Sequence, residues 1–470
     1  MKILFIDPPF QRFMGFYRFY YPLGLATMSS VLHQQGHIVK IYDAEHSPNT
    51  DTLSWGKASA LCDAYNDALE NDSHPIWCEI INYVKLFRPR IIGLSILSVK
   101  VDSALKIARI CKDIDSGMIV IAGADHPTVF PSVILQNRNI DIVVRGEGES
   151  TIFDLVQTLE KNESKKFLQN IEGISYTHNG QIIHNPNRPL ISDLDKIPWP
   201  RLDSLVQIQT YRPVDFGAIM ASRGCPYHCT FCGVHNIWSR RVRYRSIQNI
   251  INEISLLKEK YGVKYFSFRD ASFTLNMDRC ILFCNELIRR ELNIKWECLT
   301  RIDLLDKNLL EKMKKAGCVT IRVGIESGDE TILRSMKKLI DLEKVKEMAR
   351  LLNRMGFYWS TYFMFGTPLE TRGSIQRTIN FIKAIDPPFV TLSRFAPIPG
   401  SEIYHNLEKK GLVSPYIDWS LENNQRIESH YLLNMESTEF ECEMENIINY
   451  VEEHNHKKSL EIGIRDARLL

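Results

Sequence analysis

The stretch SRGCPYHCTFCGVH, residues 222–235, places Cys225, Cys229 and Cys232 at a C-x3-C-x2-C spacing. In a 470-residue chain with 11 cysteines, that spacing arises by chance about 0.006 times. Three thiolates on one short loop suit a 4Fe–4S cube: they hold three irons and leave the fourth open to a ligand. A Cys3His zinc site, with His228 or His235 as fourth ligand, is the alternative chemistry. Structural zinc more often draws its ligands from two separate knuckles. The other eight cysteines (Cys62, Cys78, Cys111, Cys280, Cys284, Cys298, Cys318 and Cys442) form no second tight cluster along the chain. Spacing therefore favours iron–sulfur over zinc.

Working outward, the cysteine loop follows an apolar run at 217–221. Similar runs recur at 264–268, 294–298, 319–324, 359–364 and 390–395, with amphipathic helical patterns between them. Six βα units predict a partial (β/α)6 barrel of the TIM type over residues 216–405, with its site at the carboxyl ends of the strands. Upstream, runs at 2–6, 38–42, 90–95, 118–122 and 141–144 alternate with helical segments at 22–35, 75–87, 101–113 and from about 149. This predicts an α/β, doubly wound parallel sheet over residues 1–164, again with ligands at the carboxyl ends of the strands. Residues 165–215 read as a linker holding a hairpin turned at Asn179-Gly180, then an extended run with Pro198 and Pro200. Residues 406–470 read as a charged, mostly helical tail.

Composition bounds the function. A net charge of +2 argues against a large nucleic-acid footprint. The chain holds no run of about 18 apolar residues, so no membrane span is expected. The opening MKILFIDPPF reads as a strand rather than a signal peptide. An odd cysteine count without secretory features predicts a cytoplasmic protein whose thiols are reduced or cluster-bound. The basic run Arg240, Arg241, Arg243 and Arg245 reads either as a solvated face or as a contact for phosphate or carboxylate.

The cysteine spacing, with Phe231 before the last cysteine, resembles the radical SAM enzymes. The resemblance implies that S-adenosyl-L-methionine (SAM) chelates the open iron and is cleaved to methionine and a 5′-deoxyadenosyl radical. It also implies that strand ends supply SAM contacts. These are Asp270 for the amino group, Arg301 for the carboxylate, Glu326 with Ser327 for the ribose, and Gly366 and Pro397 for the adenine pocket. The runs Gly366-Thr367-Pro368-Leu369-Glu370-Thr371 and Pro397-Ile398-Pro399-Gly400-Ser401 resemble the family's G-x-P-x-E-T and P-x-P-G-T segments. An Asp, Glu or Ser after a strand also reads as a helix N-cap.

The loops of the first domain resemble the cobalamin-binding domain that precedes many radical SAM cores. The matching residues are Pro8 and Pro9 after strand one, Ser95 and Leu97 after strand three, Gly123 and His126 after strand four, and Gly146 and Glu147 in the Gly-Glu-Gly-Glu turn. Close approach of a flat corrin gives those glycines a physical reason. Two departures stand out. The second glycine of the fourth loop is Ala124, and no Asp-x-His-x-x-Gly motif offers a cobalt-ligating histidine. His46 and His126 are placed as exposed-loop histidines.

The resemblance implies a cobalamin-dependent radical SAM enzyme that methylates an unactivated carbon of a small molecule, lipid or natural product. It would need an external electron donor such as flavodoxin or ferredoxin. The alternatives are a cobalamin-binding cyclase or oxidoreductase without methyl transfer, and a non-enzymatic iron–sulfur redox protein.

Overall fold

Strand β1 (Lys2–Asp7) is the KILFID run, exposed only at Lys2. Unbroken burial of this kind belongs to a strand with neighbours on both sides and helices on both faces. In the computed structural model, which describes residues 1–15, 20–47, 55–161 and 165–462, β1 pairs in parallel with β2 (Ile38–Asp43) and β3 (Ile91–Ser95). Strands β4 (Ile119–Gly123) and β5 (Ile142–Val144) continue the parallel sheet. The expected hairpin forms from β6 (Ile174–His178) and β7 (Gln181–His184), with Asn179 and Gly180 both at positive φ in its turn. It does not stand free as part of a linker. It adds antiparallel to β5, giving the sheet order β2-β1-β3-β4-β5-β6-β7. Residues 16–19 of the first loop, and residues 463–470 of the tail, lie outside the described residues.

The second sheet contains β8 (Ala218–Ile219), β11 (Tyr265–Phe268), β12 (Lys295–Thr300), β13 (Cys318–Glu326), β14 (Tyr358–Phe365) and β15 (Phe389–Arg394). Its order is β15-β14-β13-β12-β11-β8, parallel throughout, as an open six-stranded barrel requires. Alternation sorts the side chains. Phe266, Phe268, Trp296, Ile321, Val323 and Phe363 pack outward under the helices. Ser267, Glu297, Arg322 and Tyr362 take the opposite face, so the barrel interior is polar. A short antiparallel ribbon, β9 (Ser222–Arg223) with β10 (Arg243–Tyr244), brackets the cysteine loop, which no periodicity announced.

One hydrophobic core runs from Ile3 through Phe216 to Val451, so the two sheets and the tail share packing. The tail forms a helix over Ser437–Ile462 against β15. There the side-chain amide of Asn455 accepts from the Val390 N–H at 2.8 Å and donates to the Val390 carbonyl at 2.9 Å. Among the described residues, no helix is long and apolar enough to cross a membrane.

Candidate active site

The cysteine loop is held from four directions. Gly224 has φ +97°, and a Cβ there would lie 2.4 Å from the Arg241 carbonyl, so only glycine fits the turn. The Thr230 N–H donates to the Met336 carbonyl at 2.9 Å, and the Thr230 carbonyl accepts from Ile403 N–H at 2.9 Å. Asn236 Nδ2 donates to the Pro399 carbonyl at 2.7 Å. Gly233 leaves room for Ile398, whose Cγ2 would otherwise be 2.7 Å from a Cβ. Pro397 is buried in the same run, which therefore buttresses the loop. Phe231 packs into the cluster of Phe395 and Tyr404.

Cys225, Cys229 and Cys232 are free and half-buried. Burial pushes the Cys229 and Cys232 thiols up, while Lys338 pulls both down and Arg301 helps at Cys229. Three neighbouring thiolates are stable there only beside a strongly cationic partner. Among the described residues, no group of His, Cys, Asp or Glu converges closely enough to hold a single metal ion. Tetrahedral zinc would draw its sulfurs to about 3.8 Å apart. A four-iron cube instead binds each thiolate to its own iron, so the donor set fits the cluster better than zinc.

The cations beside the loop are Arg301 and Lys338. The Arg301 guanidinium lies 3.9 Å from the Tyr227 ring centroid and binds Asp303 at 3.0 and 2.8 Å. Its Nη1 donates to the Lys338 carbonyl at 3.0 Å. Lys338, which sequence reading missed, donates to Glu326 Oε1 at 3.0 Å. Glu326 sits at φ +72° on a register shift between β13 and β14. A non-glycine residue held there costs about 1–3 kcal/mol, a strain that marks functional sites. Gly324 makes the room, since a Cβ on it would meet the Glu326 carboxylate at 2.3 Å. Arg301, Glu326 and Lys338 thus form a charged shelf next to the cysteines, and they suit the ends of an amino-acid ligand.

Several expected SAM contacts lie elsewhere. Asp270 is buried and accepts from Ala221 N–H at 3.0 Å and from the Ser222 hydroxyl. Burial pushes its carboxyl up to about 6. It ties the end of β11 to β9 and to the residue before it. Ser327 is spent on Thr378 Oγ1 at 3.1 Å and on the Asp329 N–H. Gly366, at φ +83°, admits Phe440 of the tail helix, which a Cβ would meet at 2.8 Å. Thr371 is the N-cap of the next helix. Each of these positions thus also serves the fold.

A cavity of about 1600 Å³ lies between the carboxyl edge of the first sheet and the barrel. Its volume exceeds the range of drug-sized ligand sites. The floor is made of small residues, with Gly24, Ser95, Gly123, Ala124 and Gly146 among those lining it, together with Leu97 and Glu147. A Cβ on Gly24 or Gly146 would meet nothing within 4 Å, so the floor is open and flat there. Trp199 and Pro198 of the connecting segment, and Arg223, Ile237 and Trp238 flanking the cysteine loop, form the walls. This cradle fits a large flat ligand such as a corrin.

Pro8, Pro9 and His126 do not line it, contrary to expectation. The prolines are buried. His126 is 1% exposed, not on an exposed loop. Its Nδ1 pairs with Ser98 at 3.1 Å and its ring meets Trp419 and Phe130 edge-on. Burial pushes its imidazole down to about 4. His46 is buried too, stacked on Tyr211. No histidine from the first domain lines the floor among the described residues.

Glu147 lines the cavity but is already engaged. Its carboxylate pairs with Arg223 at 2.9 Å and Arg243 at 2.8 Å, and it accepts from Ile191 N–H at 2.8 Å. Arg223 also binds Glu149 at 2.5 Å. The basic run therefore splits: Arg243 is in this clamp, Arg245 pairs with buried Glu253 at 2.7 Å, Arg240 donates to the Tyr227 carbonyl, and only Arg241 is exposed. The solvated-face reading fits Arg241, while Arg245 lines the cavity. Cys280, Cys284, Cys298 and Cys318 come together in the fold as buried thiols, although spacing gave no sign of it. They are not arranged to hold a metal ion.

Comparison with known proteins agrees with this geometry. Residues 219–382 match the radical SAM superfamily and residues 16–156 match the B12 binding domain. The chain is 32% identical over 411 residues to an uncharacterized methyltransferase of Pyrococcus horikoshii, covering 86% of this chain and 82% of that one. It is 28% identical over 462 residues to the cytidylyl-2-hydroxyethylphosphonate methyltransferase of Streptomyces wedmorensis, covering 88% and 83%. The solved radical S-adenosylmethionine methyltransferase TsrM of Kitasatospora setae superposes with a TM-score of 0.67 at 16% identity, over 88% of this chain and 77% of that one.

Proposed function

Because the chain belongs to the cobalamin-dependent radical SAM family, with a B12-binding domain ahead of a radical SAM core, we propose that it methylates a carbon atom of a small molecule. Its cofactors are a 4Fe–4S cluster, SAM and cobalamin. When bound, the cluster and SAM supply a 5′-deoxyadenosyl radical and cobalamin supplies a methyl carrier. The observation that carries the reading is one continuous cavity: it touches the glycine floor of the first domain, the flanks of the cysteine loop and the barrel interior. Corrin and substrate would share this cavity, with the cysteine loop at its wall.

The residues divide the work. Cys225, Cys229 and Cys232 hold the cluster. Arg301 and the Glu326–Lys338 pair lie beside the cysteine loop, where they would orient the SAM carboxylate, amino group and ribose. Gly123 and Gly146 let the corrin lie against the backbone. Electrons come from an external donor of the flavodoxin or ferredoxin type, and eleven free cysteines suit a reducing compartment such as the cytoplasm.

Anaerobic turnover with a dithionite-reduced preparation tests the reading. Methyl transfer predicts S-adenosylhomocysteine in step with 5′-deoxyadenosine. Deoxyadenosine alone, with a cobalamin-loaded protein, would instead place the chain with the ring-forming or oxidising members and overturn the proposal.

A further inference from the structure

The polar barrel interior is organised around Glu297 on β12. Its carboxylate accepts from Ser267 at 2.6 Å, Tyr265 at 3.0 Å and Tyr20 at 3.3 Å, and binds Arg322 at 2.9 and 2.8 Å. Glu297 and Arg322 cancel in charge, so this group offers hydrogen bonds without net charge. Burial and the Glu297 carboxylate push the Tyr20 hydroxyl up to about 12, which keeps it a neutral donor. Tyr20 comes from the first loop of the cobalamin-binding domain, 277 residues away.

Arg269 lies at the end of β11, over the Tyr20 ring at 5.4 Å from its centroid. It lines the cavity and is exposed within it. The cavity's other arginines each have a carboxylate: Arg223 has Glu147 and Glu149, Arg245 has Glu253, and Arg322 has Glu297. Arg269 has no ion pair among the described residues, and it is not among the cations acting on the cysteines, which are Arg301 and Lys338. A guanidinium over a ring, lining a cavity and without a carboxylate partner, is placed to bind a planar or tetrahedral oxyanion.

Resting on the proposal that the cavity receives a small-molecule substrate, we propose that Arg269 binds an anionic group of that substrate, a carboxylate or a phosphoryl oxygen pair. Tyr20, Tyr265 and the Glu297–Arg322 pair receive the polar body of the molecule beside it. The substrate is thus an organic acid or a phosphate or phosphonate ester, not a neutral lipid.

The test uses the anaerobically purified full chain with its cluster, and does not require the substrate. Inorganic phosphate binding is followed by 31P line broadening, and 13C-acetate binding by its own line width, with trimethyl phosphate as neutral control. Wild type should bind phosphate or acetate, the tighter of the two naming the source, and should ignore trimethyl phosphate. Arg269→Gln should weaken binding at least tenfold while iron and cobalt per chain are unchanged, and Arg269→Lys, which keeps the charge but loses the planar fork, should bind more tightly than Arg269→Gln and more weakly than wild type. Equal binding by wild type and Arg269→Gln, or none by wild type, overturns the assignment. So does displacement of the anion by saturating SAM or by added cobalamin, which would give Arg269 to a cofactor. The ratio of S-adenosylhomocysteine to deoxyadenosine reports on methyl transfer separately, so either idea can fail alone.

Discussion

Glu147→Gln should weaken the contact between the first domain and the ribbon that brackets the cysteine loop. Glu147, Glu149, Arg223 and Arg243 are four largely buried groups whose charges sum to zero, with side-chain exposures of 3%, 7%, 13% and 6%. The substitution removes one negative charge and keeps the shape. Arg223 retains Glu149, so the uncompensated charge falls on Arg243, left with the Ile191 carbonyl at 2.6 Å. Breaking a buried pair from one side costs about 3–5 kcal/mol. Glutamine can still accept one hydrogen bond, which places the expected loss near about 3 kcal/mol. The first thermal transition should fall by roughly 6–12 °C. A double variant with Arg243→Met removes the stranded charge and should recover at least about 1.5 kcal/mol relative to the sum of the singles.

The pH dependence of Glu147 supplies a second readout. Burial pushes its carboxyl up, but hydrogen bonding to Arg243 and the charge of Arg223 outweigh it and hold the carboxyl below the usual range. A depressed carboxyl stabilises fully above its unfolded pKa of about 4.5 and loses that contribution as pH falls through the lower folded value. Urea titrations from pH 7 to 3 should show a shallower acid limb in Glu147→Gln. A variant within about 0.5 kcal/mol of wild type, or strictly additive singles, would refute the clamp.

Other substitutions probe the loop and the barrel. Alanine at Cys225, Cys229 or Cys232 should lower iron from about four per chain to below one and abolish SAM cleavage; a variant that keeps both would remove the cluster assignment. Gly224→Ala forces a Cβ against the Arg241 carbonyl, so thermal stability should fall by at least about 2 kcal/mol and iron loading with it; a fully loaded, equally stable variant would contradict the turn. Glu370 is 1% exposed, and burial pushes its carboxyl up to about 7. A raised carboxyl makes the folded state the better proton binder, so wild-type stability should fall as pH rises from about 4.5 to 7 and then level off. Glu370→Gln should lack that fall and exceed wild type at pH 8 by up to about 3 kcal/mol, measured by denaturation at pH 5 and 8.

The strands were legible because each is an apolar run of the right length, and the hairpin because Asn179-Gly180 fits only a tight turn. The cluster loop was legible because its chemistry is local: three thiols within eight residues. The rest of the site is not local. Asp270 and Glu326 both end strands and look alike in sequence, yet one faces the backbone of β9 and the other faces Lys338. Gly366 reads as a ligand contact until Phe440, 74 residues downstream, is seen against it. Arg243 and Glu147 announce nothing until two loops 96 residues apart meet. Glu297 and Arg322 did leave a signal: charged residues in mid-strand, where an ordinary barrel filling would be branched and apolar.

An open barrel has a last strand with unmet backbone groups, and β15 is that strand here. The Asn455 amide satisfies both polar atoms of Val390 in the geometry another strand would use. A peptide-like side chain thereby occupies the position through which a second chain would add by strand pairing. The tail helix is in this sense a guard against self-association. A chain cut before Asn455 would keep the cysteine loop and the glycine floor and yet leave Val390 unpaired on the β15 edge, with association at concentrations where the full chain stays dispersed.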